Sequence, residues 1–367
     1  MPLPTVRLFA MDPIDFVIVG SGWRAEFFLR VAAVMPDRFR CLGVTSRDAG
    51  KRAALEATWE VSAYATPEEM LNATDPLYAI SAVSWDANPD VIKRLAGGGM
   101  PVLSETPPAP DVDGLIDLYA SVKGAKVQVA EQYHLRPMPA ARLATIRDGT
   151  LGEVSQAQVS AAHGYHGISM IRKCLGVMYE PASISACAFA CPVVAGPGRE
   201  GPPAAERIIE SEQHIARFQW DGKLGVLDFD GEQYFSGIRN NRYLIRGTRG
   251  EIIDDTVAYL EDFKTPVSLT YARQTTGDEG SLDGNHLVDI RLGARQVYRN
   301  PYAPARLSEE EIAIATCLDA MAASVRNGTD FYPMTEACQD HYLVLMYQQA
   351  LKSGKTVQTQ RMPWDQL

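Results

Sequence analysis

The sequence of 367 residues predicts an α/β N-terminal domain, a doubly wound parallel sheet, followed by an α+β domain carrying a large, mostly antiparallel open sheet. Three observations predict it. Near the N-terminus an apolar strand runs straight into a Gly-x-Gly-x-x-Ala turn. Strands and helices then alternate to about residue 131. Beyond that point alternating apolar residues and hairpin turns take over.

The turn reads Asp15-Phe16-Val17-Ile18-Val19-Gly20-Ser21-Gly22-Trp23-Arg24-Ala25. A buried strand, a tight glycine turn and a helix in that order are what a dinucleotide-binding fold needs. Gly20 makes the turn, Gly22 lets the backbone approach a pyrophosphate, and Ala25 allows helix and strand to pack closely. The helix N-terminus then faces the phosphates. Ser21, Trp23 and Arg24 share the turn and are cofactor-binding candidates with the glycines. The competing reading is a flavodoxin-like turn that holds no dinucleotide.

Glu26 to Val34 carries an apolar helical face, and Arg40 to Thr45 reads as the second strand. An acidic side chain at the end of that strand takes the ribose hydroxyls in NAD enzymes. Here the strand ends in Thr45-Ser46-Arg47. Ser46 can hydrogen-bond a 2′-phosphate and Arg47 can pair with it, which favours NADP over NAD. The alternative for Arg47 is a solvated residue in the first turn of a helix. Thr66-Pro67-Glu68-Glu69 starts a helix, with Thr66 as cap and acidic residues at its positive end. Tyr78 to Ser84, Pro101 to Ser104 and Lys126 to Glu131 are strands. Asn88 to Ala96 and Val112 to Val122 are helices. Ser84, Glu105 and Thr106, at strand ends, join the cofactor-binding candidates.

Bulk properties agree with a two-domain globular protein, divided at 1–133 and 134–367, with the C-terminal helices expected to pack back toward the first domain. The net charge of −10 argues against nucleic-acid and anionic-membrane partners. No apolar run of about 18 residues is present to span a membrane. Met1 to Pro13 lacks the apolar core of a secretory signal and reads as a short extension, with Met11 an alternative start. Six scattered cysteines read as reduced thiols, which gives a cytoplasmic expectation.

Further motifs follow in order: Glu105-Thr106-Pro107, Tyr133-His134-Leu135-Arg136-Pro137, Gly149-Thr150-Leu151-Gly152, Ala162 to Ser169, and Arg246-Gly247-Thr248-Arg249-Gly250. Together they resemble, across nearly the whole chain, the glucose–fructose oxidoreductase, inositol dehydrogenase and MocA-type proteins. The resemblance implies hydride transfer between a nicotinamide and a sugar, glycoside or polyol carbon bearing oxygen. It also implies a homodimer or homotetramer formed through the open sheet. The nicotinamide would lie between the strand ends of the first domain and the sheet of the second.

The chain departs from the family where the chemistry lies. The family has Glu-Lys-Pro and Asp-x-Gly-x-His-x-x-Asp. Here Thr106 stands at the Lys position, Ala162 at the first Asp and Ser169 at the second, while His166 is retained. Two explanations compete. In one, His166 is the general acid/base, supported by His163, Tyr165 or His134. In the other, the protein is a non-catalytic, dinucleotide-dependent sugar sensor. A third option is an epimerase or glycosidase that recycles its cofactor through a keto intermediate. Tyr133, His134, Arg136 and Arg239 are substrate-binding candidates, Arg239 lying in the polar stretch Gln233 to Arg242. That stretch reads either as a substrate loop or as ordinary turn chemistry. Arg172 and Lys173 read as a solvated helix face or as anion contacts. No carboxylate sits at metal-ligand spacing from the histidines, so no metal is expected.

In the second domain Val154 to Ala161 and Ile184 to Val194 are strands. Gln213 to Trp220 and Gly225 to Phe229 form a hairpin around Asp221-Gly222. Tyr243 to Arg246, Val257 to Leu260, Val267 to Ala272 and Leu287 to Ile290 are further strands. Helices near Ser308 to Arg326 and Thr335 to Ser353 finish the chain, the first capped by Ser308 ahead of three glutamates.

Overall fold

In a computed structural model, residues 12–277 and 284–365 are described; the Met11 start lies outside them. In chain order the elements are β1 (Ile14–Val19), α1 (Trp23–Val34), β2 (Phe39–Thr45), α2 (Ala49–Trp59), β3 (Ala63–Tyr64), α3 (Pro67–Ala73), β4 (Tyr78–Ser81), α4 (Asn88–Gly97), β5 (Val102–Ser104), α5 (Val112–Ser121) and β6 (Val127–Val129). Then come α6 (Pro137–Arg147), β7 (Val154–Ser160), α7 (Gly164–Leu175), β8 (Ser183–Val194), β9 (Ile208–Trp220), β10 (Lys223–Asp230), β11 (Arg242–Gly247), β12 (Gly250–Ile253), β13 (Thr256–Leu260), β14 (Pro266–Thr276), β15 (His286–Leu292) and β16 (Arg295–Arg299). The chain closes with α8 (Glu309–Asn327), α9 (Met334–Ser353) and β17 (Val357–Gln358). Two short 3-10 turns, Tyr133–Leu135 and Gly231–Tyr234, lie beside the functional residues discussed below.

The chain divides into two compact units. One holds the residues up to Glu105 with Ser121–Ala130 and Ala305–Pro333; the other holds Thr106–Ala120, Glu131–Pro304 and Met334 onward. A single cut at residue 133 therefore divides the sequence but not the fold.

The first unit is built on a six-stranded sheet of order β3-β2-β1-β4-β5-β6, parallel throughout. Its central strands are apolar runs because both faces are covered: Phe16, Val17, Ile18, Ala79 and Ile80 have no exposed surface. Strand order reverses between β1 and β4, the place where open α/β sheets bind ligands. Gly20 ends β1 with φ of 117°, and a Cβ there would overlap the carbonyl oxygen of Ala82. Only glycine satisfies both constraints. The Gly20 amide donates to Thr45 Oγ1 at 3.0 Å, tying the turn to the end of β2.

Helix α8 completes this unit from far downstream. Ser308 and Glu311 form a reciprocal capping box at its start. It packs on α1 and against β1 and β4. The Tyr78 hydroxyl donates to Leu318 O at 3.0 Å, and Arg38 pairs with Asp319 at 2.6 Å. Gln128 donates to Asp330 and accepts from the amides of Phe331 and Tyr332.

The second unit carries an eleven-stranded sheet of order β16-β15-β14-β13-β12-β11-β7-β10-β9-β8-β17. Among the described residues of this sheet only the β10–β7 pairing is parallel. Two motifs noted in the sequence interlock at its centre. The Thr248 amide donates to Glu153 O at 2.9 Å and the Arg249 amide to Leu151 O at 2.8 Å. The Thr248 hydroxyl in turn accepts from the Glu153 amide. A side chain on Gly247 would strike Leu151 O, and one on Gly152 would strike Thr248. The Gly-x-Leu-Gly and Arg-Gly-Thr turns are thus two sides of one joint. Helix α7 lies against β7 and β10, and α9 lies against α7 and β8. Among the described residues no helix is long and apolar enough to cross a membrane.

Candidate active site

The candidate cofactor residues other than Thr106, which falls in the second unit, belong to the first unit. Gly22 is the N-cap position of α1, and a Cβ there would meet nothing within 4 Å, so space lies open before the first amides of the helix. Trp23 is 46% exposed, with the Arg24 guanidinium 4.6 Å above its ring. Arg24 also pairs with Glu105 at 3.4 Å and Glu310 at 2.9 Å. These two carboxylates hold the guanidinium beside the turn. Ser84 is exposed after β4, and its carbonyl accepts the Asn88 amide at the start of α4. The Asn88 side chain bonds Ser81, Ser104 and the Glu105 carbonyl, which fastens the ends of β4 and β5 together.

At the end of β2, Ser46 is buried and Arg47 is exposed. Arg52 reaches back to the carbonyls of both at 2.8 and 3.2 Å, so the corner carries a second guanidinium. The nearest carboxylate in sequence, Asp48, caps α2 by accepting the Lys51 amide at 2.9 Å. Backbone amides of Lys51 and Gly50 hold that carboxyl below its ordinary range.

The second unit gathers a cluster around His166, on the first turn of α7 (Glu131 and His163 immediately flank other elements and project to it). His166 Nδ1 lies 2.5 Å from Glu131 Oε2, and both side chains are buried. Tyr133 stacks on the imidazole with ring centroids 4.3 Å apart, 24° from parallel. His163, at the N-cap of α7, lies 4.8 Å from the same ring, and Tyr165 meets it edge-on at 5.5 Å. The Tyr234 hydroxyl accepts the His163 amide at 2.9 Å. Burial pushes the Tyr234 phenol up, and hydrogen bonds with the His163 amide and with Tyr133 pull it back. The predicted residues His163, Tyr165, His166 and Tyr133 are therefore neighbours. Glu131, the carboxylate among them, was read from sequence only as a strand end. Its signal was one acidic residue closing the apolar run Val127 to Ala130, where a charge needs a partner.

Other expectations change. Tyr165 is buried, and among the described residues its hydroxyl has no hydrogen-bond partner. Burial, then the charges of Asp340 and Glu131, push its phenol well above the usual value, so at neutral pH it is no base. Its place in this cluster is packing. Burial and then the charge of Lys173 push His134 down to about 3, leaving it neutral in the folded protein at physiological pH. Arg136 stands over the Tyr133 ring at 5.4 Å. Arg239 is held by Asp230 at 2.6 Å. Within Gln233 to Arg242, Gln233 is buried and bonds Ser160 O at 2.7 Å and Asn240 O at 2.9 Å, which is turn chemistry. Arg172 and Lys173 form no solvated face. Arg172 is buried against Asp340 and donates to Met178 O at 2.7 Å, and Lys173 pairs with Glu336. Helix α9 covers this side of α7, which the spacing within α7 alone does not show.

Residues 14–133 match the model of an oxidoreductase family with an NAD-binding Rossmann fold, that of the glucose–fructose oxidoreductase, inositol dehydrogenase and MocA proteins. A levoglucosan dehydrogenase solved with NADH is 14% identical, with a TM-score of 0.67 over 95% of this chain and 100% of that one. An Agrobacterium radiobacter oxidoreductase solved with NAD+, L-tartaric acid and magnesium is 11% identical, with a TM-score of 0.66 over 94% and 98%. A myo-inositol dehydrogenase from Corynebacterium glutamicum is 15% identical, with a TM-score of 0.65 over 95% and 100%. At these identities the likeness is one of fold. No curated protein matches the chain.

Proposed function

We propose that this protein is an NAD(P)-dependent oxidoreductase acting on a carbinol or carbonyl carbon of a sugar, glycoside or polyol, with His166 as acid/base. The observation that carries the reading is the end of β1. Gly20 admits no side chain, and the open α1 N-terminus beyond it sits at the β1/β4 switch point, in a segment that matches an oxidoreductase family model. The family neighbours solved with NAD+ or NADH act on or bind small polyhydroxylated molecules, in keeping with this substrate class.

The nicotinamide supplies hydride exchange when bound; the chain's own residues bind and move the proton. The α1 amides and Gly22 would take the pyrophosphate. Ser46 and exposed Arg47, with Arg52 and Lys51 in the same corner, support NADP as the preferred form, since Asp48 is already engaged as a helix cap. In the oxidative direction the substrate hydroxyl releases its proton to the His166 imidazole as its carbon gives up hydride. His163 remains the proposed support of His166, and Tyr133, His134, Arg136 and Arg239 remain the proposed substrate-side residues. A homodimer or homotetramer through the open sheet and a cytoplasmic location complete the proposal.

The second reading, a dinucleotide-dependent sensor without turnover, is supported by Thr106 and Ala162 at positions where the family carries Lys and Asp. Fluorescence titration of NADPH against NADH, on the natural sequence and on Arg47→Ala, tests the first reading. Tighter NADPH binding that collapses in the variant is expected. Turnover on a keto-sugar panel, lost in His166→Ala, then separates enzyme from sensor. Binding of neither form by cofactor-free protein overturns both.

A further inference from the structure

We propose that Glu131 is the positioning residue of the acid/base group, holding His166 in the tautomer with its proton on Nδ1 and its lone pair on Nε2. The proposal rests on the reading of His166 as acid/base, and it gives the chain a carboxylate acting on the imidazole where Thr106 and Ala162 have removed the family's charged pair.

Three features of the geometry carry it. Glu131 has no exposed surface, so its charge must be met inside the protein. Oε1 accepts the Tyr133 amide at 3.2 Å and Oε2 faces His166 Nδ1 at 2.5 Å. An ionised carboxylate in this place can only accept, which makes Nδ1 the donor. Tyr133, following Glu131 by two residues, also stacks on the imidazole, so one short segment supplies both the ring's charge partner and its platform. A carboxylate on Nδ1 fixes an imidazole's tautomer and steadies the imidazolium once Nε2 has taken a proton.

The other groups facing His166 do not compete for that role. From its own helix comes Tyr165, whose phenol stays protonated. From the turn after β6 comes Tyr133, with Arg136 over its ring at 5.4 Å. From the end of β7 comes His163, bonded through its amide to Tyr234. Strand β10 offers Leu227, which fills the space beside Gly167. During oxidation the hydroxyl proton goes to Nε2 while hydride leaves the same substrate for the oxidised nicotinamide. The ring becomes imidazolium, and Glu131 balances its charge without itself receiving the proton.

The test uses the full chain with 15N-labelled histidine, with and without NADP+, and His166 signals assigned by their loss in His166→Gln. Above its titration midpoint, His166 in the natural sequence is expected to carry its proton on Nδ1. In Glu131→Gln the midpoint is expected to fall by about one pH unit or more, since an opposite charge at this distance shifts a titration by roughly 1–3 units. Glu131→Asp should restore part of it. A proton on Nε2 in the natural sequence, or an unmoved midpoint in Glu131→Gln, overturns the proposal. The natural-sequence measurement decides even where a variant fails to fold. NADPH titration of the same sample judges the oxidoreductase reading separately, because a loss there leaves the tautomer result standing.

Discussion

At the end of β1 the candidate functional feature is backbone: a glycine whose φ and crowding leave no alternative, followed by helix amides. At the start of α7 it is side chains, with a carboxylate and an imidazole 35 residues apart brought to 2.5 Å. The first is spelled by neighbours in sequence and needs only a strand before it and a helix after it. The second exists only once β6, the turn at Tyr133 and α7 have been assembled. Backbone sites of the first kind tolerate much side-chain change provided the glycines stay. Side-chain sites of the second kind depend on contacts that no local motif specifies.

Four substitutions break or sharpen that contrast. Arg172→Ala should cost the most, about 3–5 kcal/mol in denaturant unfolding, because it strands Asp340 without its partner in the core. It lies on the same helix as His166, so loss of stability with unchanged NADPH affinity of the folded protein would separate support from site. Gly20→Ala should cost about 3 kcal/mol and abolish NADPH binding, since a positive φ and a backbone overlap act together. Retained binding there would break the backbone half of the comparison.

His134 sharpens the side-chain half through pH. Its folded value of about 3 lies below the ordinary 6.5, so the unfolded chain takes up the proton first. The stability is present above pH 6.5 and lost as pH falls toward 3, at about 1.4 kcal/mol per unit. His134→Asn should therefore lose about 2 kcal/mol less than the natural sequence between pH 7 and pH 5, read from unfolding midpoints at each pH. The smallest effect is expected for Ser308→Ala, about 1 kcal/mol in thermal or denaturant unfolding, from loss of the α8 cap.

Much of the first unit was legible because its signals are local. The β1 turn, Thr66 capping α3 through the Glu69 amide and the Ser308–Glu311 box all lie within four residues. The second unit was legible in outline. The Asp221-Gly222 hairpin is present, but β9 begins at Ile208, before the expected Gln213, and β12 and β16 were not anticipated. Those two strands are four and five residues long and carry arginine and glutamate, so they show little alternation. Within the site, His166 came from a motif, whereas Glu131 had none. Arg172 and Lys173 were misread because their partners, Asp340 and Glu336, sit on a helix more than 160 residues away.

The arrival of α8 in the first unit has a consequence for how that unit is made. Strands β1 to β6 are complete by Val129, yet Tyr78, Arg38 and Gln128 find their partners only at Leu318, Asp319 and Asp330. During synthesis the nucleotide-binding sheet must wait, with one flank uncovered, while nearly two hundred further residues emerge. A fragment ending at residue 133 would keep that flank bare for good, so a nucleotide-binding piece cut from this protein needs residues 305–333 joined back to it.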